Sequence, residues 1–173
     1  MKSLLYLYSF LVLICAVTFV ACGGSSSDSE TTPYSETEET TETSSESASV
    51  EVTIRPVGDE MKYGVETITA AAGSELTLIL ENTATLPTMV HNVVILTTNN
   101  DEDANRVGMA AITAGEANGY LPEDDAILAA TPMAQPGETV RVTFTVPSEP
   151  GTYRFICTYP GHYALMQGSL VVT

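Results

Sequence analysis

The side chains best equipped for chemistry lie close together near the C-terminus. Residues 157–166 read Cys-Thr-Tyr-Pro-Gly-His-Tyr-Ala-Leu-Met, so a thiol (Cys157), an imidazole (His162) and a thioether (Met166) share one short loop. Thiolate, imidazole and thioether together suit a soft ion that cycles between Cu(II) and Cu(I); zinc or magnesium has little use for the methionine. A trigonal plane of two imidazoles and one thiolate needs a second histidine, and the chain has only one other, His91, in Met89-Val-His-Asn-Val-Val-Ile-Leu96. The expected set is therefore His91, Cys157, His162 and Met166 around one copper ion, the donor pattern of a blue-copper electron-transfer site.

Taken singly, the residues carry less. A lone histidine is more often a surface or satisfied core residue, and Met166 alone reads as core packing. The Cys-x4-His-x3-Met spacing is what makes coincidence improbable. The neighbours Asn92 and Thr158 each follow a ligand and are expected to hydrogen-bond between the two loops, pinning them and, with backbone N–H groups, tuning the thiolate. Ordinary loop capping would use the same residue types.

Such a loop has to be held by something stiff, and the flanking sequence supplies strands. Period-2 alternation begins at Val50 and recurs in 50–57, 66–70, 75–82, 139–146, 153–157 and 168–172, with a further strand opened by His91. Residues 99–138 lose the alternation and are rich in Asn, Asp, Gly and Pro. They read as an insertion of about 40 residues, too long for a hairpin loop, with a short helix near 103–111 and a brief strand near 126–129. Seven or eight short strands with little helix predict an all-β, Greek-key β-sandwich over residues 50–173.

Ahead of that domain the composition changes twice. Lys2 and the apolar run from Leu4 to Val20 read as an export signal. Phe19-Val-Ala-Cys22-Gly resembles a lipobox, in which Cys22 is lipidated and becomes the mature N-terminus. The alternative is an uncleaved anchor, since about 18 apolar residues can span a hydrocarbon core of ~30 Å. Residues 23–49 hold seven acids and almost no apolar side chain, so they are expected to be a disordered Ser/Thr/Glu-rich linker. As a flexible coil it would span roughly 26–31 Å. Either reading leaves an exported domain tethered to a membrane, on the periplasmic or cell-surface side.

Charge narrows the partners. The net charge is −16, and residues 50–173 carry 15 acids against five bases. Phosphate-rich partners need clustered Lys and Arg, so nucleic acid is excluded and partners with a basic face are favoured. Of three cysteines, Cys15 and Cys22 fall in or beside the leader, leaving Cys157 alone in the domain. No disulfide can form there, and metal ligation gives the thiol a use.

These segments, in this order, resemble the azurin and auracyanin branch of the blue copper proteins, the cupredoxins. The likeness lies in 89–96, Gly108-Met-Ala, Tyr120-Leu-Pro-Glu-Asp-Asp125, Thr143-Phe-Thr-Val146 and 157–166. Plastocyanin-type carriers have a shorter Cys-to-His gap and a longer His-to-Met gap. The resemblance implies imidazole ligation by His91 and His162, thiolate ligation by Cys157 and a long axial Met166 bond. Azurins also place a glycine carbonyl opposite the methionine; that position is Val90 here, leaving at most a weak backbone contact. Two cysteines that form a disulfide in azurin have no counterparts.

The resemblance further implies an apolar collar around His162, made of Leu86, Pro87, Met89, Pro160, Gly161, Tyr163, Ala164 and Leu165, though Leu86 and Tyr163 could simply cap the barrel end. Such a face suits brief docking of a cytochrome, a quinol-oxidising complex, a reaction centre or a reductase. A multicopper oxidase or nitrite-reductase-like enzyme needs more histidines than the two present. Copper storage would favour clustered methionines, but here they are scattered. A metal-free adhesion sandwich leaves Cys157 unexplained. The expectation is a one-electron carrier, not an enzyme.

Overall fold

The computed structural model describes residues 50–173. The export signal, Cys22 and the 23–49 linker lie outside the described residues. Eight strands and one helix follow in order: β1 (Val50–Ile54), β2 (Thr67–Ala70), β3 (Glu75–Glu81), β4 (Val94–Leu96), α1 (Asp101–Ala114), β5 (Ile127–Ala130), β6 (Thr139–Thr145), β7 (Gly151–Ile156) and β8 (Gln167–Val172). They form two sheets, β1-β3-β6 and β2-β8-β7-β4-β5, packed as a sandwich. The pairs β1–β3 and β2–β8 are parallel, and the others are antiparallel. Among the described residues no helix is long and apolar enough to cross a membrane.

Alternation decides what goes inside. Leu76, Leu78 and Leu80 of β3 point to one face and are fully buried, opposite Ile68, Phe155, Leu170 and Val172 of the second sheet. Burying each large aliphatic or aromatic side chain stabilises by roughly 1.5–3 kcal/mol. Tyr63 enters the same core from the loop before β2, its ring 5.4 Å from that of Phe155. Close packing here leaves no room at Gly168, where a Cβ would lie 2.1 Å from the Phe155 ring.

The helix is longer than its sequence signal. Asn100 caps it by accepting from the Asp103 N–H at 2.7 Å, and Asp101, Glu102 and Asp103 sit in the first turn, where the helix dipole favours acids. Ala104 and Val107 pack on Val94, Leu96 and Ile156 on the outer face of the larger sheet. Gly108 lies flat against Tyr163 of the 157–166 loop; a Cβ there would be 2.2 Å from the ring. That contact fixes the loop to the helix.

One strand boundary needs correction. The ladder of β4 starts at Val94 rather than at His91, which makes only an isolated bridge with Ala134. The reason is competition for the backbone. The Asn92 carbonyl accepts from the Tyr63 hydroxyl, and the Val93 N–H donates to the Thr131 hydroxyl at 3.0 Å, so neither group is free for strand pairing. β7 likewise stops at Ile156, leaving Cys157 just beyond the sheet edge.

Candidate metal centre

The loop that carries three of the four candidate ligands is closed by its own backbone. Cys157 N–H donates to the Met166 carbonyl at 3.0 Å, joining the two ends. Inside it, His162 N–H donates to Tyr159 O at 3.0 Å, closing a turn with Pro160 and Gly161 in the middle. Gly161 has φ +83°, the left-handed conformation that the third residue of a type II turn requires and glycine supplies without strain. The turn carries His162 back over Cys157, and Met166 N–H then bonds to His162 O at 2.8 Å.

His91 arrives from 66 positions away. Asn82, buried at the end of β3, donates from Nδ2 to Met89 O at 2.8 Å and to Ala134 O at 2.9 Å, clamping the segment just before the histidine. Asn92, just after it, donates to the Thr158 hydroxyl and accepts from the Thr158 N–H, both at 2.8 Å. This reciprocal pair ties the His91 segment to the residue following Cys157. Tyr63 and Asn82 were not anticipated. Nothing in their local sequence marks them, because their partners lie 29 and 52 positions away.

The outcome is a buried triangle. Cys157 Sγ lies 3.9 Å from His91 Nδ1 and 3.8 Å from His162 Nδ1, and the two Nδ1 atoms are 3.2 Å apart. A point equidistant from all three is about 2.1 Å from each, matching metal–nitrogen bonds of ~2.0–2.1 Å and close to metal–sulfur bonds of ~2.3 Å. Among the described residues these three are the group of His, Cys and carboxylate side chains able to share an ion. Met166 is fully buried in the same core cluster as Cys157. Val90 is buried directly before His91.

Electrostatics agree with a site made for a cation. Burial, with a smaller contribution from His162, pushes the His91 imidazole down to about 4, and burial also lowers His162. Both rings are therefore neutral at pH 7, with lone pairs available. Burial raises the Cys157 thiol to about 11, against the opposing pull of the Asn92 and Tyr159 backbone N–H groups. Those N–H groups are the ones that would bond a thiolate. His91 Nε2 is buried without a hydrogen-bond partner, consistent with a ring held from its Nδ1 side. His162 keeps 5 % exposure, and its Nε2 is not sealed in the same way.

Leu86 and Leu165 are exposed, by 49 % and 66 %. Tyr163 is half-buried against Gly108 and serves chiefly to seat the loop on α1.

Two neutral imidazoles and a thiol converging at one end of a two-sheet sandwich define a cupredoxin. Comparison with known proteins gives the same class. Residues 35–173 match the family described as copper binding proteins, plastocyanin/azurin family. Auracyanin-A of Chloroflexus aurantiacus is 41 % identical over 127 residues, covering 73 % of this chain and 76 % of that one. Azurin of Pseudomonas aeruginosa is 35 % identical over 120 residues, covering 66 % and 79 %. The solved structure of auracyanin A, titled a "blue" copper protein, superposes with a TM-score of 0.67 at 39 % identity, over 72 % of this chain and 99 % of that one. The chain belongs to the copper-binding plastocyanin/azurin family.

Proposed function

We propose that His91, Cys157, His162 and Met166 hold one copper ion and that the protein carries single electrons between redox partners. The observation that carries this is the Nδ1–Nδ1–Sγ triangle, whose size suits one ion. The ion would supply the one-electron couple between Cu(I) and Cu(II). The protein does the rest. Nδ1 of each histidine offers a lone pair without a proton to lose, and Cys157 gives up its proton to become the thiolate. Met166 would supply a weakly bound thioether sulfur, and the Val90 carbonyl is a candidate further contact. The Asn92–Thr158 pair and the Asn82 clamp hold the donors where neither oxidation state moves them far. Burial of the triangle excludes water.

Electrons would pass through the His162 edge, the ligand side chain that reaches the surface. Exposed Leu86 and Leu165 form part of an easily desolvated face there, suited to a cytochrome, quinol-oxidising complex, reaction centre or reductase. Export by residues 1–22, lipidation at Cys22 and tethering through 23–49 complete the proposal: a carrier confined near a membrane.

Loading the purified protein with Cu(II) should give an intense visible thiolate-to-copper band with narrow hyperfine coupling. Cys157→Ser should lose that band and the associated electron-transfer activity. A colourless Cu(II) complex, or a Cys157→Ser variant that still transfers electrons at the wild-type rate, would end the proposal.

A further inference from the structure

Beside the ligand loop lies a cleft of about 380 Å³ bordered by Val90, Glu116, Tyr120, Met133, Gln135 and Tyr159. Tyr120 and Tyr159 meet edge to face, with centroids 5.4 Å apart and planes at 74°, so the cleft has two crossed aromatic walls. The Tyr159 ring in turn packs on His162, with centroids at 4.8 Å. The cleft thus adjoins the surface ligand through one side chain.

Tyr120 is held in place at a cost. Among the described residues it is the non-glycine residue with positive φ, +51°, and it directly follows Gly119 at +59°. A bulky residue in that region is unusual and strained, and such strain survives where surrounding contacts over-determine it. Here Tyr120 N–H donates to Gly115 O at 2.9 Å and Gly119 N–H to Glu116 O at 2.8 Å. The same hairpin of backbone bonds sets the Glu116 carboxylate at the rim, solvent-exposed.

The charge around the cleft points one way. Arg55, Lys62, Arg106 and Arg154 are paired with acids elsewhere, and Glu116 is not among the ion-paired acids of the described residues. Two aromatic rings, a thioether and a carboxylate attract an organic cation, and the domain's excess of acids steers one there. An anion would meet only repulsion.

We propose that this cleft receives an arginine or lysine side chain of the redox partner, anchoring it beside the His162 edge. The inference rests on the electron-carrier reading and adds to it the chemistry of the partner's contact. It places the partner's basic residue off-centre from the apolar face, so the two contacts together fix orientation.

The test has two arms on the full chain. In the first, ethylguanidinium is titrated into the metal-free protein and followed by amide and tyrosine-ring NMR shifts. Saturable shifts confined to residues 116–120, 133–135 and 159 are expected, and loss of saturation in Tyr120→Leu. Shifts scattered over the acidic surface would overturn the proposal. In the second, the copper-loaded reduced protein passes one electron to an oxidised cytochrome c whose haem edge is ringed by lysines, at low salt. Glu116→Gln should slow the second-order rate on the order of 5-fold, the scale of one cation contact. Glu149→Gln, in the turn between β6 and β7, removes the same charge far along the chain and should slow it less than 2-fold. Equal slowing by both variants would mean general charge steering and no anchor, and no slowing by Glu116→Gln would refute the anchor outright. A wild-type protein with no blue band would instead sink the carrier reading, while the first arm still judged the cleft.

Discussion

Replacing Asn92 with alanine removes the two bonds that join the His91 segment to the Cys157 loop. One is the amide donating to the Thr158 hydroxyl, and the other is the Thr158 N–H donating to Asn92 Oδ1, both 2.8 Å and both buried. Each bond contributes about 1 kcal/mol net, and the stranded Thr158 N–H adds a desolvation penalty of about 1–3 kcal/mol because no water reaches it. The sum predicts destabilisation by about 3–5 kcal/mol, which for a domain of this size lowers the melting temperature by roughly 10–20 °C. Two companion variants apportion the loss. Thr158→Ser keeps both bonds and should stay within about 1 kcal/mol of wild type, whereas Thr158→Val strands only the Asn92 amide and should fall in between. Urea unfolding of the metal-free protein gives the free energies, and the visible band of the copper-loaded variants reports whether the two loops still meet. If Asn92→Ala unfolds within about 1 kcal/mol of wild type with an unchanged band, the tie does not position the site and the reasoning fails.

Three further outcomes follow from the same structure. Gly108→Ala puts a methyl 2.2 Å from the Tyr163 ring and Gly168→Ala puts one 2.1 Å from Phe155, so each should cost roughly 1–3 kcal/mol in urea unfolding. Gly168→Ala should be the worse because Phe155 is fully buried and cannot swing aside; the reverse order would contradict the packing. Cu(II) uptake at pH 7.5 should release about one proton, measured in weakly buffered solution, because the thiol raised to about 11 is protonated beforehand while both imidazoles are already neutral. Below about pH 4, where His91 is charged, the release should rise; a release near zero at pH 7.5 would mean Cys157 is not a ligand. Asp59, Asp103 and Asp124 have carboxyls held below the ordinary 3.8, chiefly by the Leu86 N–H, the Thr98 hydroxyl and Arg106 respectively. Their depressed values mean stability that is present above pH 3.8 and lost as pH falls through the folded values. The urea midpoint should therefore drop below about pH 4, and less so in Asp103→Asn; a flat profile would refute it.

The 157–166 loop was legible because it is local. Cys157, His162 and Met166 lie within ten positions, and Pro160-Gly161 announces the turn between the first two, so no long-range pairing is needed to foresee that the Cys157 thiol and the His162 ring meet. Strand alternation was equally plain from Val50 onward, since burial on one face is written into every second residue. The insertion could be delimited by its loss of alternation, but the helix ran from Asp101 to Ala114, beyond the span expected, because Asn100 supplies a cap ahead of the apolar residues.

Chain order could not supply what distant segments decide together. The start of β4 moved to Val94 because Tyr63 and Thr131 claim the backbone of Asn92 and Val93, and neither competitor is near them in sequence. The Asn82 clamp, the seating of Tyr163 on Gly108 and the crossed Tyr120–Tyr159 walls arise in the same way. Residue types and spacing settled which donors the protein owns, because donor chemistry is a property of single side chains. Only the packed sandwich settled that His91 Nδ1 lies 3.2 Å from His162 Nδ1, because that distance is fixed by hydrogen bonds between segments that the sequence keeps far apart.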